Sequence, residues 1–214
     1  MAAPDPTLLQ KFENQMRNTQ LSVKNAIEWF KNNARLLATV NANVLMSRDR
    51  QRLVPTNSLK GTKYVGRMIM FFYQPKFRET LPFYDMFPLV IIIKPYPDGF
   101  LGLNLHYLPI GYRAQLLNGL HQIYQTKEYD ENKKLQMSYQ TLVSESRLKF
   151  YKPCIKRYLY VGNDYRGGGV TSRFSIVDPA EWDKMIALPV ERFMKKTAAQ
   201  AQSDSLSKLG IRKK

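Results

Sequence analysis

The chain has 214 residues, 44% of them hydrophobic, which suits one proper core with appended extensions. Its 33 Lys and Arg face 17 Asp and Glu, and the formal net charge of +16 draws the protein toward polyanions, either nucleic acid or an acidic protein surface. A single cysteine, Cys154, excludes an internal disulfide and, with only His106 and His121 beside it, leaves too few ligands for a zinc site, while the longest apolar run, Phe87 to Ile93, falls far short of the ~20 residues that span a bilayer.

At the N-terminus, Asp5, Lys11 and Glu13 interrupt any secretory pattern, so assembly in a reducing cytoplasm is expected. Asp5 and Pro6 read as an N-cap and first helical residue, and Leu9, Phe12, Met16, Val23, Ile27 and Phe30 recur mostly at spacings of three and four. They predict a helix, continuous or broken, from about Pro6 to Leu45. Lys11, Arg17, Lys24, Lys31 and Arg35 occupy its other face, as suits an arm lying on a partner or on its own core. From Ser47 to Lys63 the turn formers read as a linker in which Arg48, Arg50, Arg52, Lys60 and Lys63 either track phosphates or are merely solvated.

Strands are predicted at Val65 to Tyr73, Leu89 to Lys94 and Phe100 to Tyr107. Between the last two, Pro97, Asp98 and Gly99 predict a tight hairpin in which the Asp-Gly pair supplies positive φ. Leu101, Leu103, Leu105 and Tyr107 form the expected core face, whereas Phe100, Gly102, Asn104 and His106 form a mixed one. Gly102 reads as a close approach or a bulge. Pro109 opens a helix through about Tyr124 that should cover the sheet, the polar run Gln125 to Lys134 reads as a loop, and Ser138 to Tyr151 reads as a helix ended by Pro153.

Lys156 to Val161 and Arg173 to Val177 are expected to pair around the glycine-rich loop Gly162 to Gly169. Asp178, Pro179 and Glu181 mark a helix start with the features of a capping box, and Pro189 interrupts that helix after Leu188. Beyond Phe193, Lys195, Lys196, Lys208, Arg212, Lys213 and Lys214 face only Asp204, which predicts an extended tail ordered by a partner. The expected architecture is therefore α+β: a small antiparallel sheet covered by helices. Residues 1–62 form the N-terminal helical arm and linker, 63–194 the core domain and 195–214 the basic C-terminal tail.

The residues offer little chemistry. In GNDYRGGG, Gly168 and Gly169 stand where a Walker loop needs Lys and then Ser or Thr, so a hairpin loop with Arg166 at its tip, open to phosphate contact, is the better reading. A nuclease would need acids grouped around a metal. Asp98 reads instead as a turn residue, Asp85 as a turn cap or the partner of a nearby Arg, and His106 and His121 as structural. Lys149, Phe150, Tyr151, Lys152, Lys156, Arg157, Tyr158 and Tyr160 interleave cations with aromatics. Either the rings stack on bases while the cations neutralise phosphates, or the rings face the core and the cations face water. Neither an enzymatic activity nor a cofactor is expected.

The segments from Gly66 to Leu120, CIKRYLY at Cys154 to Tyr160, SRFSIVDPAEWDKMIALPVERF at Ser172 to Phe193, and QSDSLSK at Gln202 to Lys208 are together similar to a family of small basic virion proteins of T4-like contractile-tailed phages. Members are described as DNA-end protectors or as tail and baseplate components. The resemblance runs from Gly66 onward; the region Met1 to Thr62 and the Gly162 to Gly169 insertion depart from it. It implies a virion protein with no catalytic residue to transfer, set among other neck, tail or baseplate proteins in an oligomeric context. Two positions follow as expectations: the packaged double-stranded DNA end near the portal and neck, or a tail or baseplate site against acidic neighbours.

Overall fold

The computed structural model describes residues 7, 10, 19–39, 47–55, 59, 62–126, 128–130, 133, 134, 136, 137, 140, 151–160, 168–186 and 193–208, with the backbone alone for 19–23, 48, 50 and 62. In chain order the main elements are α1 (Thr19–Ala38), α2 (Ser47–Arg52), β1 (Leu53–Val54), β2 (Met68–Met70), β3 (Tyr73–Gln74), β4 (Tyr84–Asp85), β5 (Leu89–Tyr96), β6 (Gly99–Asn104), α3 (Ile110–Gln125), β7 (Ile155–Leu159), β8 (Gly169–Val170), β9 (Phe174–Val177), α4 (Trp182–Ile186), β10 (Phe193–Met194) and α5 (Ala198–Lys208). The class is α+β, as the residue pattern predicts.

Six strands form one antiparallel sheet in the order β1-β9-β2-β5-β6-β7, and two small ribbons, β4 with β10 and β3 with β8, flank it. The expected pairing of the two late strands does not occur. β7 joins β6, with Gly99 opposite Leu159 and Leu103 opposite Ile155, while β9 joins β2, with Met68 opposite Val177. The reason lies in open edges. The β5–β6 hairpin and β2 leave one unpaired backbone edge at each end, and one late strand satisfies each.

The hairpin forms where predicted but for a different reason. Tyr96 pairs with Gly99, leaving Pro97 and Asp98 as the loop. Among the described residues only Gly66, Gly169 and Lys195 have positive φ, so neither Asp98 nor Gly99 uses the left-handed region. Gly99 is needed for space instead, because a Cβ there would lie 2.0 Å from the Tyr158 carbonyl oxygen on β7. Gly102 also meets a close neighbour, with Val90 Cγ1 2.0 Å from where its Cβ would be, and the register of β5 shifts between Ile92 and Lys94 beside it.

Both faces of the sheet are buried, which corrects the expectation of a mixed second face. On one side Met70, Leu89, Ile91 and Leu103 pack beneath Trp29 of α1, Leu117 of α3 and Trp182 of α4. On the other, Phe71, Phe100, Tyr158 and Phe174 form an aromatic layer, with Ile69 and Val90 packed into it. The Phe71 ring meets Phe100, Tyr158 and Phe174 edge-on at 5.7, 5.1 and 5.2 Å. These separations and angles are those aromatic quadrupoles favour.

Between the two readings of the N-terminal helix, α1 takes its own core, which Ala26, Trp29 and Leu37 enter. Most of the predicted helix before Thr19 lies outside the described residues. Thr7 and Gln10 form a reciprocal capping box: Thr7 N donates to Gln10 Oε1 at 2.8 Å, and Gln10 N donates to Thr7 Oγ1 at 3.2 Å. The predicted helix from Ser138 to Tyr151 and the Leu188–Pro189 break also fall largely or wholly outside the described residues.

The start after Val177 is capped as expected, with Asp178 accepting from Ala180 N. Glu181, however, does not complete a capping box; its carboxylate turns to Trp29 and Arg52.

The C-terminal region is corrected as well. Instead of an extended tail, residues 198–208 form α5, opened by a second reciprocal pair between Thr197 and Gln200 at 2.9 and 3.3 Å. Ala201 and Ser205 are buried, and Gln202 Nε2 donates to the His106 carbonyl. The polar composition hid a helix whose small residues permit close packing. Leu209 to Lys214 lie outside the described residues.

Candidate nucleic-acid interface

The basic residues singled out from sequence divide by what their charges already do. Arg52 lies at the end of α2, where Nη2 meets Glu181 Oε2 at 2.7 Å and Nε donates to the Ile176 carbonyl at 3.3 Å. Glu181 Oε1 also accepts from Trp29 Nε1 at 2.9 Å, so this pair ties α1, α2, β9 and the start of α4 together. A polar cleft of about 600 Å³ opens beside it, with Arg35, Asp49 and Lys184 on its walls.

Arg157 spans the two Asp98 carboxylate oxygens at 2.6 and 2.8 Å and lies 4.5 Å from the Tyr96 ring centroid. Lys156 is half-buried 4.3 Å above the Tyr107 ring, and loss of hydration lowers the pKa of its amine. Lys196 pairs with Asp204 and lies over Phe83. Lys152 and Lys208 are exposed. Arg48 and Arg50 lie on α2, described by backbone alone, and Lys149, Arg166, Arg212, Lys213 and Lys214 fall outside the described residues.

The interleaved aromatics resolve toward the second reading. Tyr158 is inside the aromatic layer, and Tyr151 and Tyr160 pack against the two cores, so these described rings serve the fold.

Asp85 and His106, separated in sequence, meet in a buried network that single-residue reasoning missed. Asp85 Oδ1 accepts from Phe87 N at 3.0 Å, the turn-capping role expected of it. Its Oδ2 accepts from Asn104 Nδ2 at 2.8 Å and shares a 2.8 Å hydrogen bond with His106 Nδ1, so its ring partner is a histidine rather than an arginine. Asn104 Nδ2 also donates to the Tyr158 hydroxyl at 2.9 Å. The Asp85 and His106 side chains are 2% and 0% exposed, which makes the network a fastener between β4, β6 and β7. Beside it, burial pushes the Cys154 thiol up to about 12 and raises the Tyr107 and Tyr158 phenols. Among the described residues, His, Cys, Asp and Glu side chains form no group of three able to hold a metal.

A different geometry marks the corner made by residues 75–86 and 193–196. Phe77 O accepts from Thr80 N at 3.1 Å and Leu81 N at 3.0 Å, closing a tight turn. Lys195 Nζ donates to the carbonyls of Arg78, Glu79 and Leu81 at 2.8, 2.9 and 2.8 Å. Its backbone has φ of +70°. A lysine expected to contact a polyanion thus braces a loop. Exposed on that loop are Lys76, Phe77 and Arg78, three residues outside the set expected from the residue pattern. The available signal was PKFRET, a cation–aromatic–cation run directly after a proline.

A family model described as the phage T4 terminal DNA protecting protein matches residues 8–208. The chain belongs to this family. The match takes in the stretch from residue 8 to 65, beyond the reach of the initial resemblance. No curated protein and no solved structure matches the chain. Membership identifies a phage virion protein that protects DNA ends, and it does not favour the tail or baseplate alternative. No described helix is long and apolar enough to cross a membrane.

Proposed function

We propose that this member of the terminal DNA protecting family covers the ends of packaged double-stranded DNA at the portal and neck, without catalysis, through a mainly electrostatic and sequence-independent grip. The family match over residues 8–208 carries this reading, and the formal charge of +16 supports it. Phosphate neutralisation releases condensed counterions and supplies affinity without base readout.

Lys152 and Lys208 are exposed members of the proposed contact set, with Arg48, Arg50, Lys149, Arg166, Arg212, Lys213 and Lys214 completing it. Arg52, Lys156, Arg157, Lys195 and Lys196 have charges already engaged by other groups of the fold, although Arg157 and Lys195 are exposed, and they shape the surface that presents the rest. Neighbouring neck proteins would supply the oligomeric context after synthesis in the host cytoplasm.

The deciding measurement is a competition mobility-shift assay at several salt concentrations, using linear duplex and a covalently closed circle of the same sequence. Linear DNA is expected to win, and affinity to fall with a log–log salt slope of about 0.9 per phosphate contacted. Absence of binding at low salt overturns the reading.

A further inference from the structure

Charge alone does not tell a DNA end from its middle, because phosphates run along the whole duplex. An end-binding protein needs a feature that only an end can satisfy. The terminal base pair has one: a flat π face with no neighbouring pair stacked on it.

Among the described residues the large exposed hydrophobics are Phe77, Met86, Ile110 and Met194, and all but Ile110 belong to the corner formed by residues 75–86 and 193–196. Phe77 is the most exposed, at 65%. Lys76 Nζ lies 6.0 Å from its ring centroid, and Arg78 follows directly, its guanidinium in an exposed contact to Glu79 at 3.2 Å. Exposed pairs of this kind are weak, so a phosphate can take over the guanidinium.

The loop is also braced. The Lys195 ammonium fills a cage of carbonyls below it, and pairing of β4 with β10 secures the loop's far end. On its near side, Gly168 packs so closely that a Cβ would lie 2.1 Å from Lys76 N. Positive φ at a lysine is retained only where the surroundings impose it. An exposed aromatic on a braced loop, with a cation directly before and after it in sequence, suits a stacking contact, because the backbone has little ordering entropy left to lose.

The geometry points to Phe77 as the side chain that stacks on the terminal base pair of a DNA duplex, with Lys76 and Arg78 on the adjacent phosphates. This rests on the end-protection reading and names the contact that would make it selective.

The test compares wild-type protein, Phe77→Ala and Phe77→Trp for binding to a blunt linear duplex and to the same duplex closed by hairpin loops at both ends. Phe77→Ala should lose about tenfold of the preference for the open duplex, keep its affinity for the closed one and retain the salt slope. Phe77→Trp should restore the preference. An open-end preference that survives Phe77→Ala overturns the stacking assignment alone and leaves the ring for a protein neighbour. A wild-type protein with no open-end preference overturns the end-protection reading and this inference together.

Discussion

The six-stranded sheet and the corner at residues 75–86 spend the same residue types in opposite ways. In the aromatic layer on one face of the sheet, Phe71, Phe100 and Phe174 are fully buried and contact one another. In the corner, Phe77 stands in solvent while the exposed Lys195 uses its ammonium to hold backbone carbonyls. A ring left in water gains little from burial, so the corner's conformation rests on its other contacts. The contrast separates residues that keep the fold from residues available to a partner.

Asp85 offers the strongest way to break that division, because it sits on β4 in the corner and bonds Asn104 and His106 beside the sheet. Asp85→Ala leaves several buried donors without an acceptor and should cost about 3 kcal/mol or more, read as a lower midpoint in chemical denaturation. A loss below about 1 kcal/mol would show that the two regions hold together without it.

An intermediate effect is expected at high pH. The Cys154 thiol shifts from an ordinary 9.0 to about 12, and the Tyr107 and Tyr158 phenols also lie above their ordinary 10.0. Burial is the main cause in each case. Their contribution to stability is fully present below pH 9 and is lost as pH rises, because the unfolded chain releases these protons first. Lys156, whose pKa is lowered by burial, acts in the opposite sense as pH approaches its ordinary 10.5. Burial raises the Tyr73 and Tyr160 phenols too, so with five groups against one, denaturation midpoints should fall above pH 9, and Cys154→Ala should flatten the first part of that fall.

The smallest effect belongs to the corner's outer side. Phe77→Ala should change stability by no more than about 0.5 kcal/mol, as surface substitutions usually do, even as it changes DNA binding. A larger loss in thermal or chemical unfolding would mean that the ring is part of the fold and would erase the contrast.

Local patterns carried much of this fold. The hairpin after Tyr96, the helix after Pro109 and the Asp178 cap are each decided by residues a few positions apart. Thr197 with Gln200 was equally readable as a capping box, but the polar composition around it suggested a tail. The partners of β7 and β9 were not legible, since edge pairing depends on which edges remain open after the rest of the sheet assembles. The Asp85–His106 meeting was hidden for a related reason: neither residue's neighbours in sequence indicate the other. Of the candidate interface, total charge was legible. Whether Arg52 or Lys195 was free to use its charge was not, because Glu181 and the loop carbonyls reach them only through the tertiary fold.

The strand order also constrains the sequence of events by which the molecule forms. β9 lies between β1 and β2, with Ser175 opposite both Leu53 and Met70. A chain emerging from the ribosome can close the β5–β6 hairpin and α3 early, but β1 has no place in the sheet until residues near 175 arrive. Such distant contacts slow folding because a long loop must be closed before they form. The helix-covered face therefore stays incomplete until residues 174–186 have been made, and a chain ending before Phe174 would lose both the strand that seats β1 and the Trp182 that seals that face.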